Sequence, residues 1–261
     1  MSLWQTTVLG ALAGFTIYFG LPIARFRHRT QAFQSFLTAL ALGILLFLVF
    51  DILSKALEPI EAAAKHGVKT GQWATFAVLF GMLVVGLVVG LVGLVLFDTK
   101  VVSRPSGERR LPRQLALMIA TGLGLHNFSE GLVIGQAAAT GAIAFAALLV
   151  AGFGLHNITE GFAIAAPLAL AKEVPSWLFL GTAGIIGGGP TFVGTLVGYH
   201  VISIPLFVLF LALAVGALFY IIGEMFAVGR RVQTPLWTAC GIVMGFLVAY
   251  GTDLVLAVSR Q

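Results

Sequence analysis

Charge is what this chain has least of. Among its 261 residues only 10% are charged and 59% are hydrophobic, with a mean hydropathy of +1.03. A water-soluble domain would carry roughly a quarter of its residues as Asp, Glu, Lys or Arg. A soluble fold is therefore excluded, and nucleic acid is not an expected partner despite the net charge of +5. Cysteine is nearly absent: Cys240 stands alone, which removes internal disulfides and Cys-based metal sites. Residues 1–24 lack both a basic n-region and a small-x-small cleavage site, so the first apolar stretch reads as a mature span. The segments of about ten residues with alternating polarity that build a lipid-facing barrel are also missing.

What the chain has is long apolar runs. Eight can be marked, at roughly 2–21, 31–53, 72–97, 113–138, 141–170, 174–198, 203–226 and 234–257. Each is long enough to cross a hydrocarbon core of ~30 Å as a helix. The expected fold class is an all-α integral membrane protein, an eight-transmembrane-helix bundle forming one transporter domain over 1–261. The 32 glycines fit this reading, because small residues let membrane helices approach closely.

The loops suggest an orientation. If the N-terminus lies outside, the inner loops hold Arg25, Arg27, Arg29, Lys100, Arg104, Arg109, Arg110, Arg113, Lys172, Arg230 and Arg231. Only Lys55, Lys65, Lys69 and Arg260 remain outside. Basic residues are retained on the cytoplasmic face, so both termini are expected to be extracytoplasmic in a cell (plasma or inner) membrane. The segment 98–112 reads as a short, basic cytoplasmic connector without histidine.

Two stretches carry the chemistry. "GLGLHNFSEG" occupies 122–131 and "GFGLHNITEG" occupies 152–161. Residues four apart share a helix face, so His126 aligns with Glu130 and His156 with Glu160. Asn127 and Asn157 flank those faces, rotated by about 100°. The connection near Thr140–Gly141 is short enough to make an antiparallel hairpin, which turns the two copies into facing half-sites near mid-bilayer. Such an arrangement is an inverted pseudo-symmetric pair.

Two imidazoles and two carboxylates suit a borderline divalent cation, and the Asn carbonyls add weaker oxygen donors. Ligands shed protons to bind metal, which links binding to pH. Ionisable residues within a membrane mark ion pathways by default; packing by interhelical hydrogen bonds is the competing reading. Asp51 and Glu224 are candidates for admitting or releasing an ion, with interfacial solvation as the alternative. Asp253 reads as interfacial, and His28, His66 and His200 as loop or surface residues. Pro190, after three glycines in "IIGGGPTF", is expected to kink or break its helix.

With "HNFSEG" and "HNITEG" on the fourth and fifth spans, the chain resembles the ZIP (Zrt/Irt-like) family of divalent-metal transporters, prokaryotic type. The resemblance extends over the whole chain: eight spans, outside termini and a cytoplasmic loop after the third. It implies a metal site at His126, Asn127, Glu130, His156, Asn157 and Glu160, described in the family as binuclear with the span-five Glu bridging both ions. It also implies uptake toward the cytoplasm by one helical bundle moving against another. Ser129 and Thr159 stand where the family often has Pro, and Gly189 stands before Pro190 where it commonly has Glu. Asp51 falls in the region where the family often has a metal-attracting residue.

The function expected is transport of a divalent transition-metal ion, zinc first, with iron, manganese, cobalt and cadmium as further cargo. No cofactor is expected; the metal is cargo. The partners are divalent metal ions, the lipid bilayer and a second copy in a homodimer. The runner-up is an intramembrane metal-dependent hydrolase or lipid enzyme, using the same ligands to activate water. A third reading is a proton-conducting or signalling protein whose His/Glu pairs bind no metal.

Overall fold

Among the described residues there are eight helical stretches, each apolar and long enough to cross a membrane. The computed structural model describes residues 1–26, 30–100, 112–170, 173–229 and 234–258. The first crossing combines α1 (Leu3–Phe15), α2 (Ile17–Gly20) and a 3-10 turn (Leu21–Arg25). There follow α3 (Gln31–Thr70), α4 (Ala74–Lys100), α5 (Pro112–Ala139), α6 (Ile143–Ala165), α7 (Trp177–His200), α8 (Ile204–Gly229) and α9 (Pro235–Val258). A 3-10 turn (Ala166–Leu170) extends α6. The class is all-α.

The hairpin between α5 and α6 is set by one backbone position. Gly141 has φ of 78°, the left-handed region that favours glycine. Its N–H donates to the Ala138 carbonyl at 3.3 Å, and the N–H of Ala142 donates to Ala137 at 3.0 Å. These two bonds form a Schellman cap, satisfying carbonyls that the end of α5 would otherwise leave open. The chain reverses within three residues, so α6 returns along α5.

Backbone proximity holds the neighbourhood of the hairpin together. α5 packs on α7, α1 packs on α7 and α6, and α2 packs on α6. At these contacts glycine is the only residue that fits. A Cβ on Gly131 would overlap the Thr191 carbonyl, and one on Gly161 would overlap that of Ile17. Lipid tails are as apolar as leucine, so helix association here depends on close packing rather than on removal from water. A second group pairs α3 with α9 and α4 with α8, with α3 on α8, and is joined to the first through α5·α8 and α3·α6. On α4 the buried face is Leu79, Leu83, Gly86, Gly90 and Leu94. Its other faces expose valines, leucines and phenylalanines such as Phe80, Val85 and Val89, as a lipid-facing helix should.

Two expectations are corrected. Hydropathy alone ends the second span at 53 and leaves Lys55, Lys65, His66 and Lys69 outside it. Instead α3 runs unbroken for 40 residues, through Pro59. At 1.5 Å per residue that is about 60 Å, twice the hydrocarbon thickness. The reason is a continuing buried stripe at Ile52, Ala56, Ile60, Ala63 and Gly67, spaced three or four residues apart as one helix face requires. Charged residues occupy the other faces, so hydropathy falls while the helix continues.

Of the kink or break expected at Pro190, the break is overturned: α7 is continuous from Trp177 to His200. The Ile186 carbonyl, four residues earlier, loses its usual donor and packs against the backbone of Gly124. The 98–112 connector is shorter than expected at its edges, with α4 reaching Lys100 and α5 starting at Pro112. Positions 101–111 lie outside the described residues, as does His28.

Gly131→Val is expected to destabilise the α5–α7 contact by roughly 1–3 kcal/mol through overpacking, read as a lowered melting temperature in detergent. Gly81→Ala, on α4 with nothing within 4 Å of the added carbon, should be neutral or stabilising in the same measurement.

Candidate metal centre

His126 and Glu130 lie near the middle of α5, and His156 and Glu160 occupy the corresponding part of α6. All four are buried, as are Asn127 and Asn157. Their positions follow from the hairpin: two helices with the same His-Asn-x-x-Glu pattern, folded against each other, present their His/Glu faces to one space. The imidazole centroids are 6.0 Å apart with the rings inclined at 66°. His126 Nε2 is 3.2 Å from Glu130 Oε1. One candidate ligand atom from each of His126, Glu130 and His156 lies within 4.8 Å of the other two. Donors bound to one first-row ion at about 2.1 Å sit at most about 4.2 Å apart. Small side-chain adjustments would bring these three onto a single ion.

Glu160 sits at the margin of this group. Its Oε1 is 4.0 Å from His156 Nε2, and its Oε2 accepts a 2.6 Å hydrogen bond from Asn127 Nδ2. The two asparagines have matching tasks. Asn127 Nδ2 also donates to the Gly187 carbonyl on α7 at 3.0 Å, while Asn157 Nδ2 donates to the Ala13 carbonyl on α1 at 2.8 Å. Each therefore ties its own motif to a neighbouring helix by the amide nitrogen, and each Oδ1 is buried without a hydrogen-bond partner.

The hydroxyl residues just before the two glutamates also correspond. Ser129 Oγ donates to the His126 carbonyl and Thr159 Oγ1 to the His156 carbonyl, both at 2.6 Å. A hydroxyl bonding back to the preceding turn occupies a carbonyl acceptor and bends a helix slightly. Here it does so at the carbonyl of each histidine.

Buried polar atoms without partners are the chemical signature of the site. They include both ring nitrogens of His126, Nε2 of His156, Glu130 Oε2 and Glu160 Oε1. A buried polar group lacking its hydrogen bond costs roughly 1–3 kcal/mol, more when charged. A divalent cation would satisfy several of these atoms at once and offset the two carboxylates. The donor set is nitrogen and carboxylate oxygen, which suits zinc, iron, manganese and cobalt.

The other expected positions are dispersed. Asp51 is buried on α3 and pairs with Lys55. Glu224 is half-buried near the C-terminal end of α8 and is not part of the His/Glu group. Asp253 is half-buried on α9 and lies within electrostatic reach of Lys55. His200 is exposed against Tyr199 at the end of α7, and His66 is exposed on α3. Gly189 shares the face of α7 that exposes Ile185 and Val193, whereas Gly187, Gly188 and Thr191 are buried. Lys55 is not singled out by its place outside the apolar run; its signal is the spacing of four from Asp51. The carbonyls of Ala13 and Gly187 carried no signal at all.

No family model matches this chain, nor does any curated protein sequence. Fold and site together define its class: a multi-span membrane protein with a buried group of side chains that could hold a metal ion, His126, Glu130 and His156.

His126→Ala and His156→Ala should each weaken zinc binding by at least ~10-fold in detergent-solubilised protein, read by calorimetry or elemental analysis. Asn157→Ala, which loses the tether to Ala13 together with the amide oxygen, should cost about 10-fold, the usual scale for outer-shell partners of a metal site.

Proposed function

We propose that the chain carries divalent transition-metal ions, zinc first, across a cell membrane toward the cytoplasm, as a transporter of the ZIP (Zrt/Irt-like) type. The observation that carries this reading is the convergence of three ligand atoms within 4.8 Å in the middle of an eight-span bundle, with unsatisfied nitrogen and oxygen atoms around them. A carrier needs a site deep in the bilayer that can be reached from each face in turn. Such sites fall near the membrane midplane at the interface of inverted repeats. The doubled motif supplies that geometry from one hairpin.

The ion's passage exchanges ligands and breaks no covalent bond, so no enzyme activity is required. Imidazole and carboxylate bind a dehydrated transition ion strongly enough to extract it from water. The three buried donors fall short of a closed four-ligand cage, which leaves coordination positions for arrival and departure. Glu160 stands beside the three as a further oxygen donor, and the buried Oδ1 atoms of Asn127 and Asn157 are left without a hydrogen-bond partner.

The inward direction rests on the resemblance to the ZIP family, and the orientation on the basic residues. Arg25 hydrogen-bonds the Pro175 carbonyl and covers the Trp177 ring at 4.5 Å. Arg113 approaches Glu173 at 3.8 Å and the Phe179 ring at 5.7 Å. Both therefore gather at the N-terminal end of α7, and the excess of basic residues on that side supports placing it toward the cytoplasm.

Purified protein in liposomes loaded with a zinc-sensitive dye should show saturable zinc influx. His156→Ala combined with Glu160→Ala should reduce the initial rate by at least ~10-fold, by loss of a nitrogen and an oxygen ligand. Unchanged rates in that double variant would remove the site from the transport path.

A further inference from the structure

Lys55 is a basic side chain set into the bundle rather than around it. Its Nζ lies 2.6 Å from Asp51 Oδ2, with side-chain exposures of 29% for Lys55 and 9% for Asp51. The Lys65–Glu61 pair farther along the same helix is 77% and 65% exposed. That outer pair is a solvated surface pair and the inner one is not. The Lys55 ammonium sits 6.0 Å from the centroid of Phe153, three residues before His156 on α6. It also interacts electrostatically with Glu130, Glu160 and Asp253, and His156 feels both Lys55 and Asp51. The pair thus flanks the candidate centre from α3, on the side where α5 turns into α6.

The charges balance in a specific way. The buried carboxylates among the described residues are Asp51, Glu130 and Glu160, three formal negative charges. One divalent ion and one ammonium match them; two divalent ions and the ammonium would leave an excess of two positive charges in a low-dielectric interior. A lysine ammonium is a compact point charge on a flexible four-carbon stem, so it can swing between acceptors that a helix backbone holds fixed.

We propose that Lys55 is a tethered cation that stands in for a second metal ion, limiting the centre to one divalent ion and competing with it for Glu130. Asp51 holds the ammonium back while the ion is bound. When the ion leaves, the ammonium leans toward Glu130 and compensates the vacated carboxylates. Lys55 and Asp51 are then positioning residues, acting on the ion through charge rather than by ligation. The assignment rests on the metal-binding reading above.

The test is zinc titration by calorimetry on the full-length chain in detergent, comparing wild type with K55M, K55R, D51N and D51N/K55M. Wild type should bind one zinc. K55M should bind about tenfold tighter or take a second ion, because the repulsion of a nearby positive charge is gone. K55R should behave as wild type. D51N should bind about tenfold more weakly, since the released ammonium competes at Glu130, and D51N/K55M should recover that loss.

If K55M keeps both the affinity and the stoichiometry of wild type, the tethered cation is overturned while the metal site stands. The same follows if D51N/K55M is as weak as D51N, which would make Asp51 itself a ligand. Should K55M fail to fold, the comparison of D51N with D51N/K55M decides, because the double variant carries no unpaired buried charge. A wild type that binds no zinc would remove the metal reading, and the Lys55 assignment with it.

Discussion

Four side chains with too few partners organise this molecule. His126, Glu130, His156 and Glu160 are buried where no bulk water reaches, and several of their polar atoms make no hydrogen bond within the protein. Desolvating a carboxylate or an ammonium costs several kcal/mol per ion even after relaxation. A bundle that tolerates this must hold the groups so that they can satisfy one another through something between them. The asparagines make that possible by taking the backbone carbonyls of α1 and α7 as acceptors. They fix the two motif helices without consuming most of the candidate ligand atoms; only Glu160 Oε2 is engaged by an amide.

Glycine is the other half of the same arrangement. Asn127 can reach the Gly187 carbonyl, and Asn157 that of Ala13, only because α7 and α1 approach the hairpin at backbone distance. Side chains at Gly131, Gly161, Gly188 or Gly194 would separate those helices. The residues that pack the bundle therefore also set the reach of the residues that hold the centre. Packing and site cannot be changed independently along this interface.

Much of the organisation is legible from periodicity and spacing. Eight apolar runs give eight crossings, because a lipid-exposed backbone must satisfy itself as helix. His and Glu four apart give a shared face, and the repeated motif across Gly141 gives two faces turned toward one another. The extent of α3 is not legible from hydropathy: past Asp51 the average polarity rises, although the buried stripe from Ile52 to Gly67 continues underneath. A sliding average sees composition, whereas a helix is kept by one face. Pro190 leaves α7 unbroken, and the Ile186 carbonyl that loses its donor packs against the backbone of Gly124.

The sequence by itself determined the class of protein, the crossings, and the His/Glu pairs that face each other. Those follow from local rules: the period of a helix, the thickness of a bilayer, and a turn that needs one glycine in the left-handed region. Only the tertiary structure decided which donors converge. It brought His126, Glu130 and His156 together, set Glu160 beside them under Asn127, left Glu224 apart, and turned Gly189 to the outer face of α7. It also placed Asp51 and Lys55 against the centre from α3. Those outcomes depend on how far each helix rotates and slides against its neighbours, and that is settled by contacts between residues distant in the chain.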